Sequence, residues 1–298
     1  MKNRKNQLSV FKTRSIPLLT TFLISSCATY SVQKGKDATT IVQPQNRGLI
    51  QSFYLFGDTE KLESNAERVA SVEKILAQHP AQASVIWLGN NADVSLLSKL
   101  KKTSEIPFYI TNGDKEWQEG LENLQQITQQ YQQTKLHVLS SNYCGIEPIE
   151  LNENLVLLSI DSQWFLEGWE KNPNANADCP IQTRELFFKE FENQLNVYEN
   201  RTVLLVMHHP ILSNGKFGGQ FSLKDQLFPF EPPVPLPVIG SALNLVRATS
   251  GISNQDLNNH FYRDLRQRFS TLLANRENVV VVSSHENSLQ YVQQNGVK

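Results

Sequence analysis

The chain reads as an α/β protein, strands and helices taken in turn and layered on one another. Three observations predict this class. From Ser52 onward, short apolar runs alternate with amphipathic stretches of helical spacing. Each apolar run ends in small or polar residues, as strands do where they meet a loop. And 298 residues with 40% hydrophobic and 19% charged content supply enough apolar material for one large domain or two small ones. The formal net charge of −1 argues against an electrostatic nucleic-acid binder, which usually carries a basic stripe. No apolar run reaches 18 residues, so no spanning helix is expected.

Taken in order, a strand over 53–56 runs into Gly57-Asp58-Thr59-Glu60, and helical spacing follows over 63–78. A strand over 85–88 runs into Gly89-Asn90-Asn91, with a short helix over 94–102. A strand over 106–110 runs into Thr111-Asn112-Gly113-Asp114, followed by a Gln-rich helix over 118–133 whose leucines and isoleucine keep helical spacing. Strands are then predicted near 137–139 and 155–161, a helix over 184–198, a strand over 203–207, a helix over 256–275 and a closing strand over 279–283. In open α/β sheets, sites form at the carboxyl ends of strands. Those ends carry Asp58, Asn90, Asp114, His208, His209 and His285. One such residue is usually a turn residue or a helix cap. Together they have the chemistry of oxygen and nitrogen ligands converging on a metal. Neighbouring strand residues face opposite sides, which sets His209 apart from His208. His79, His137 and His260 lie away from the strand ends and read as surface or structural, and Asp93 reads as a helix cap.

The N-terminus carries Lys2, Arg4, Lys5, Lys12 and Arg14 with no acidic residue, then a short apolar stretch over 16–24 and Ser25-Ser26-Cys27. This is the pattern of a secretory signal over residues 1–26. Cys27 after two small residues resembles a bacterial lipoprotein signal, which implies lipid on Cys27, export and attachment to the membrane of the cell envelope. The alternative is an ordinary signal peptide with an incidental cysteine. Removing residues 1–26 takes five positive charges and no negative ones from a net −1, leaving −6. The acyl chains, not surface charge, would then be the anchor. Residues 27–48 are polar and aperiodic and read as a tether, with the folded domain over 49–298. An oxidising compartment allows Cys144 and Cys179 to pair; two buried free thiols are the alternative.

Five segments carry a family resemblance: FGDTE (56–60), LGNNAD (88–93), NGDKEW (112–117), MHHP (207–210) and SSHENSLQY (283–291). In order and spacing they resemble the D-x-H, G-D-x-x-D, G-N-H-[DE], lone-His and G-H-x-H motifs of the calcineurin-like metallophosphoesterases. The resemblance runs from about Ser52 to Gln294 and is nearest to bacterial exported, lipoprotein-type members. It implies a four-layer α/β/β/α sandwich and a metal-dependent hydrolase of phosphate monoesters or diesters.

The motifs depart from the family pattern. The first-metal positions fall on Asp58, Glu60, Asn90 and Asn287, of which only Asp58 matches, with Glu60 still offering an oxygen. The second-metal positions fall on Asn90, Asp114, His208 and His285. The catalytic histidine position falls on Lys115, and a further histidine position on Phe217. Two divalent ions about 3.5–4 Å apart repel by roughly 15–20 kcal/mol at an effective dielectric near 20. A bridging carboxylate normally offsets that, and Asn90 lacks the charge. One divalent ion (Mn, Zn or Fe) on Asp114, His208 and His285, helped by Asn90, is therefore expected rather than two. Lys115 and Asp58 are the expected catalytic groups, Lys115 holding a phosphate as a fixed cation. The alternative is a set of relics, hydrogen-bonded to one another without metal, in an inactive protein that keeps the fold for binding or scaffolding. Residues 228–252, rich in proline and apolar side chains, either border the site or form a packed surface excursion. The resemblance implies at least one strand beyond the last motif, whereas the chain ends at Val297-Lys298, as a fragment or shortened frame would.

Overall fold

Near-continuous apolar runs build the first sheet. In the computed structural model the described residues are 50–79, 82–118, 120–140, 144–167, 169, 177, 179–215, 227, 259–286, 289–293 and 297. The signal segment 1–26, the tether with Cys27, Phe217, residues 228–252 and Asn287 lie outside them. Two units divide the chain, and every element below belongs to the one spanning Val42–Ser213 and His260–Lys298.

Strands β1 (Ser52–Phe56), β2 (Ala83–Leu88), β3 (Phe108–Thr111) and β4 (His137–Val138) pair in that order, all parallel. Parallel neighbours need crossovers, and here the crossovers are helices α1 (Ala66–Ala77), α2 (Val94–Lys102) and α3 (Leu121–Gln133). The sequence reading ran the first helix from residue 63. Instead, a 3-10 turn at Leu62–Ser64 precedes it, and Asn65 starts the helix by accepting the Arg68 N–H with its side chain. Asp93 caps α2 through the Ser95 N–H, and hydrogen bonds from the Ser95 side chain and N–H hold its carboxyl below the usual range.

The second sheet has the order β5 (Ile146–Asn152), β6 (Leu155–Ile160), β7 (Thr202–Met207), β8 (Val279–Val282). Only β5 and β6 run antiparallel. A buried five-residue helix, α4 (Ser162–Leu166), follows β6 and is capped by Asp161. Helices α5 (Arg184–Val197) and α6 (His260–Leu273) meet through aromatic rings, with the Phe191 and Phe269 centroids 4.0 Å apart. Cys144 and Cys179 form a disulfide, Cα atoms 5.3 Å apart, tying the entry of β5 to the segment before α5.

The burial of β2 shows how the layers meet. Val85 and Trp87 join Leu97 and Leu100 of α2 and Leu76 of α1. The intervening Ile86 and Leu88 join Leu157 of β6 and Leu204 and Val206 of β7. The side-chain period of two thus gives one face of the first sheet to helices and the other to the second sheet. The α/β reading holds as a mixed α/β fold with two sheets of mostly parallel strands. Among the described residues, no helix is long and apolar enough to cross a membrane.

Candidate metal centre

Strand ends from both sheets meet at one place, and the backbone there is tightly constrained. Asp58, Asn90 and His285 all have left-handed φ (51°, 52° and 70°), a conformation that non-glycine residues adopt at a cost. Gly89 has φ 86°, and a Cβ on it would sit 2.6 Å from His208 Nδ1. A Cβ on Gly113 would sit 2.5 Å from Asn90 Oδ1. The glycines of these motifs therefore serve close approach of the loops to one another. The loops are also stitched by the main chain: Thr59 N–H to Asn90 O at 2.7 Å, and Ser284 N–H to His208 O at 3.0 Å.

His208 follows β7 and is fully buried. Its Nδ1 lies 2.7 Å from the Leu88 carbonyl oxygen, which can only accept, so Nδ1 carries a proton. The Ser284 hydroxyl stands 2.9 Å from the same nitrogen. The opposite nitrogen, Nε2, faces Asp114 Oδ1 at 3.1 Å and His285 Nδ1 at 3.2 Å, and the triangle closes at 3.8 Å between His285 and Asp114. Burial works against ionisation of both His208 and Asp114. Their mutual hydrogen bond outweighs it, aided at Asp114 by His285 and Asn90 and at His208 by the Leu88 carbonyl and the Asp58 charge. Asp114 is held well below the usual carboxylate range and His208 above the usual imidazole value.

Asn90 occupies the acidic side. Its amide nitrogen donates to Asp58 Oδ1 at 3.0 Å and to Asp114 Oδ1 at 2.9 Å, while its oxygen accepts the Lys115 N–H at 3.0 Å. A neutral amide thus ties two carboxylates together. Lys115 contributes that main-chain N–H and is otherwise exposed. Glu60 has a buried oxygen, Oε2, for which no hydrogen bond is found among the described residues. Of the expected site residues, Asp58, Asn90, Asp114, His208 and His285 come together, and Lys115 joins them through its backbone.

Two residues matter more than the sequence reading allowed. His209 was expected to point away, on strand alternation. It lies past Met207, where β7 has ended, and its ring is 4.9 Å from that of His208 and 4.5 Å from that of His285. Its Nδ1 pairs with Ser162 Oγ at 2.8 Å. His208, His209 and His285 form a buried cluster whose ligand atoms lie within 4.8 Å of one another, and this cluster can hold a metal ion. The second is Glu116, buried beneath the loops, which falls on the acidic position that closes the G-N-H-[DE] pattern but was not singled out. His137 and His260 are exposed, as expected.

Donor spacing tests the fit to a cation. A tetrahedral ion with bonds of about 2.0–2.1 Å to nitrogen and oxygen holds its ligands about 3.3–3.4 Å apart. The edges of the His208 Nε2, His285 Nδ1 and Asp114 Oδ1 triangle straddle that value. With the Nδ1 proton held by Leu88, Nε2 is the nitrogen that would bind a ligand once it gives up the proton it shares with Asp114, the usual outer-shell arrangement for a metal histidine. The residues fit one ion.

A cavity of about 520 Å³ opens beside Asp58, lined by Leu55, Leu88, Ile211, Val282 and Tyr291. No protein-family model matches the chain, and no curated protein is similar enough to count as a relative.

Proposed function

We propose that the protein is a metal-dependent phosphoesterase of the calcineurin-like kind, with a single-metal site and a four-layer α/β/β/α arrangement. The observation that carries this reading is the two-nitrogen, one-oxygen triangle of His208, His285 and Asp114, with His208 oriented by the Leu88 carbonyl.

His208, His285 and Asp114 would hold one Mn, Zn or Fe ion, and His209 lies against the same cluster. Such an ion supplies Lewis acidity: it makes water more acidic and withdraws charge from a phosphoryl oxygen. The chain's own groups do the rest. Asn90 keeps Asp58 and Asp114 at fixed separation without adding charge. Asp58, which lines the cavity, is the candidate to accept a proton from attacking water. Lys115, exposed next to Asp114, offers its ammonium to a phosphate oxygen. The substrate is a phosphate monoester or diester, not a nucleic acid held by charge. Export and attachment to the membrane through lipid on Cys27 complete the proposal.

A second reading rests on the Asn90 bridge. Asp58 and Asp114 are already satisfied by hydrogen bonds, as they would be in an inactive protein that keeps the fold for binding. Hydrolysis of an aryl phosphate and an aryl diester, measured with added Mn²⁺, Zn²⁺ or Fe²⁺, separates the two. Metal-dependent turnover abolished in His208→Ala supports the enzyme. A folded chain that binds metal without turnover, or binds none, supports the inactive form.

A further inference from the structure

Glu116 sits in the turn after Asp114 and is 5% exposed. Its two carboxylate oxygens accept four N–H groups. Oε2 takes the main-chain N–H of Gly113 at 2.7 Å and of Asn90 at 3.1 Å. Oε1 takes the main-chain N–H of Asn91 at 2.8 Å and its side-chain amide at 3.0 Å. Three of the four donors are backbone, and they come from two loops, the one after β2 and the one after β3.

We propose that Glu116 is a positioning residue of the metal centre, clamping the loop that bears Asn90 to the turn that bears Asp114. The proposal rests on the single-metal reading above. The clamp acts where the loops are closest, since a Cβ on Gly113 would meet Asn90 N at 2.6 Å and Asn90 Oδ1 at 2.5 Å. It also holds Asn90 in its left-handed conformation through that residue's own N–H. From there the path to the metal donor is short. The Asn90 amide donates to Asp114 Oδ1, the oxygen that forms one corner of the ligand triangle. If either loop slides, that oxygen moves. A buried carboxylate is costly to desolvate, and a neutral group would join two loops at less cost. Charge-assisted hydrogen bonds are shorter and stiffer, which is what placement of a donor to within about 0.5 Å demands.

The test compares Zn²⁺ affinity of the wild-type chain, Glu116→Gln and Val72→Ala, by competition with a chromophoric chelator well below the unfolding temperature of each. Glutamine keeps the shape but turns an NH₂ toward N–H donors. The expected result is wild-type binding of one Zn²⁺, about 10–100-fold weaker binding in Glu116→Gln, and unchanged affinity in Val72→Ala, which loses core packing on α1 without touching the clamp. Equal affinity in wild type and Glu116→Gln would overturn the positioning role alone. So would a Glu116→Gln chain that fails to fold, by making the carboxylate a requirement of the fold, or an equal loss in Val72→Ala, by making stability the cause. A wild-type chain that binds no Zn²⁺ would overturn the single-metal reading and this proposal together.

Discussion

The two sheets bring different chemistry to the same place. The first delivers Asp58, Asn90 and Asp114 on loops that approach so closely that glycine is required, and it cross-links the two carboxylates through a neutral amide. The second delivers His208, His209 and His285, buried imidazoles held from behind by the Leu88 carbonyl, Ser284 and Ser162. On the histidine side the Leu88 carbonyl fixes the orientation of the His208 ring, as a metal site needs. On the acidic side Asn90 fills the position between carboxylates where a cation would otherwise balance them. Asp114 belongs to both halves, and this asymmetry is the physical reason to expect one metal rather than two.

The largest effect should follow from breaking the histidine half. His208→Ala removes one corner of the ligand triangle and should weaken metal binding by more than the roughly 10–100-fold that a supporting residue carries, read by chelator competition. Next comes the scaffold beneath it. Replacing both Cys144 and Cys179 by serine should cost about 3–4 kcal/mol in urea unfolding, the loop-entropy value for a bridge of this span, because the bridge closes a separation of 35 residues in the second sheet's half. The acidic half should answer more weakly. Asn90→Ala removes the amide that holds Asp114 Oδ1 in place and should lower metal affinity about tenfold, with the histidine cluster intact by its ring resonances.

The smallest effect concerns Asp161, which connects the halves. It follows β6 and accepts hydrogen bonds from Trp117 and Asn112 of the first sheet's loop. Burial pushes its carboxyl up, against the lowering by the Trp164 N–H, Trp117 and Asn112. The folded state therefore holds the proton more tightly than the unfolded chain, whose aspartate titrates near about 3.9. This group's contribution is fullest below that pH and declines as pH rises through the folded value. The stability difference between wild type and Asp161→Asn should shrink or turn against the wild type from pH 4 to pH 7. A constant difference would show that Asp161 is ionised to the same extent folded and unfolded.

The parallel first sheet was legible because β1, β2 and β3 are apolar runs that end in small or polar residues. The second sheet was read less completely. Strand β5 escaped because Ile146, Glu147, Pro148 and Ile149 mix charge and proline into the run. The fold tolerates this because β5 is an edge strand. Helix α4 is five residues long, too short to show a period, and only Asp161 before it signals a start. Asp114, His208 and His285, which the structure brings together, were legible as polar residues at strand ends. His209 was given the weaker claim because strand alternation was carried past Met207, where the strand stops. Glu116 stands at the acidic end of the NGDKEW segment, but its role was not legible, because a carboxylate that serves backbone donors looks in sequence like any other acidic residue.

The central claim is one metal on two imidazoles and one carboxylate. Anomalous diffraction at the metal edge, from crystals grown with Zn²⁺ or Mn²⁺, measures it directly. One peak within bonding distance of His208 Nε2, His285 Nδ1 and Asp114 Oδ1 is the predicted result. Two peaks flanking Asn90, or none at this cluster in protein that is folded and metal-saturated, would contradict it.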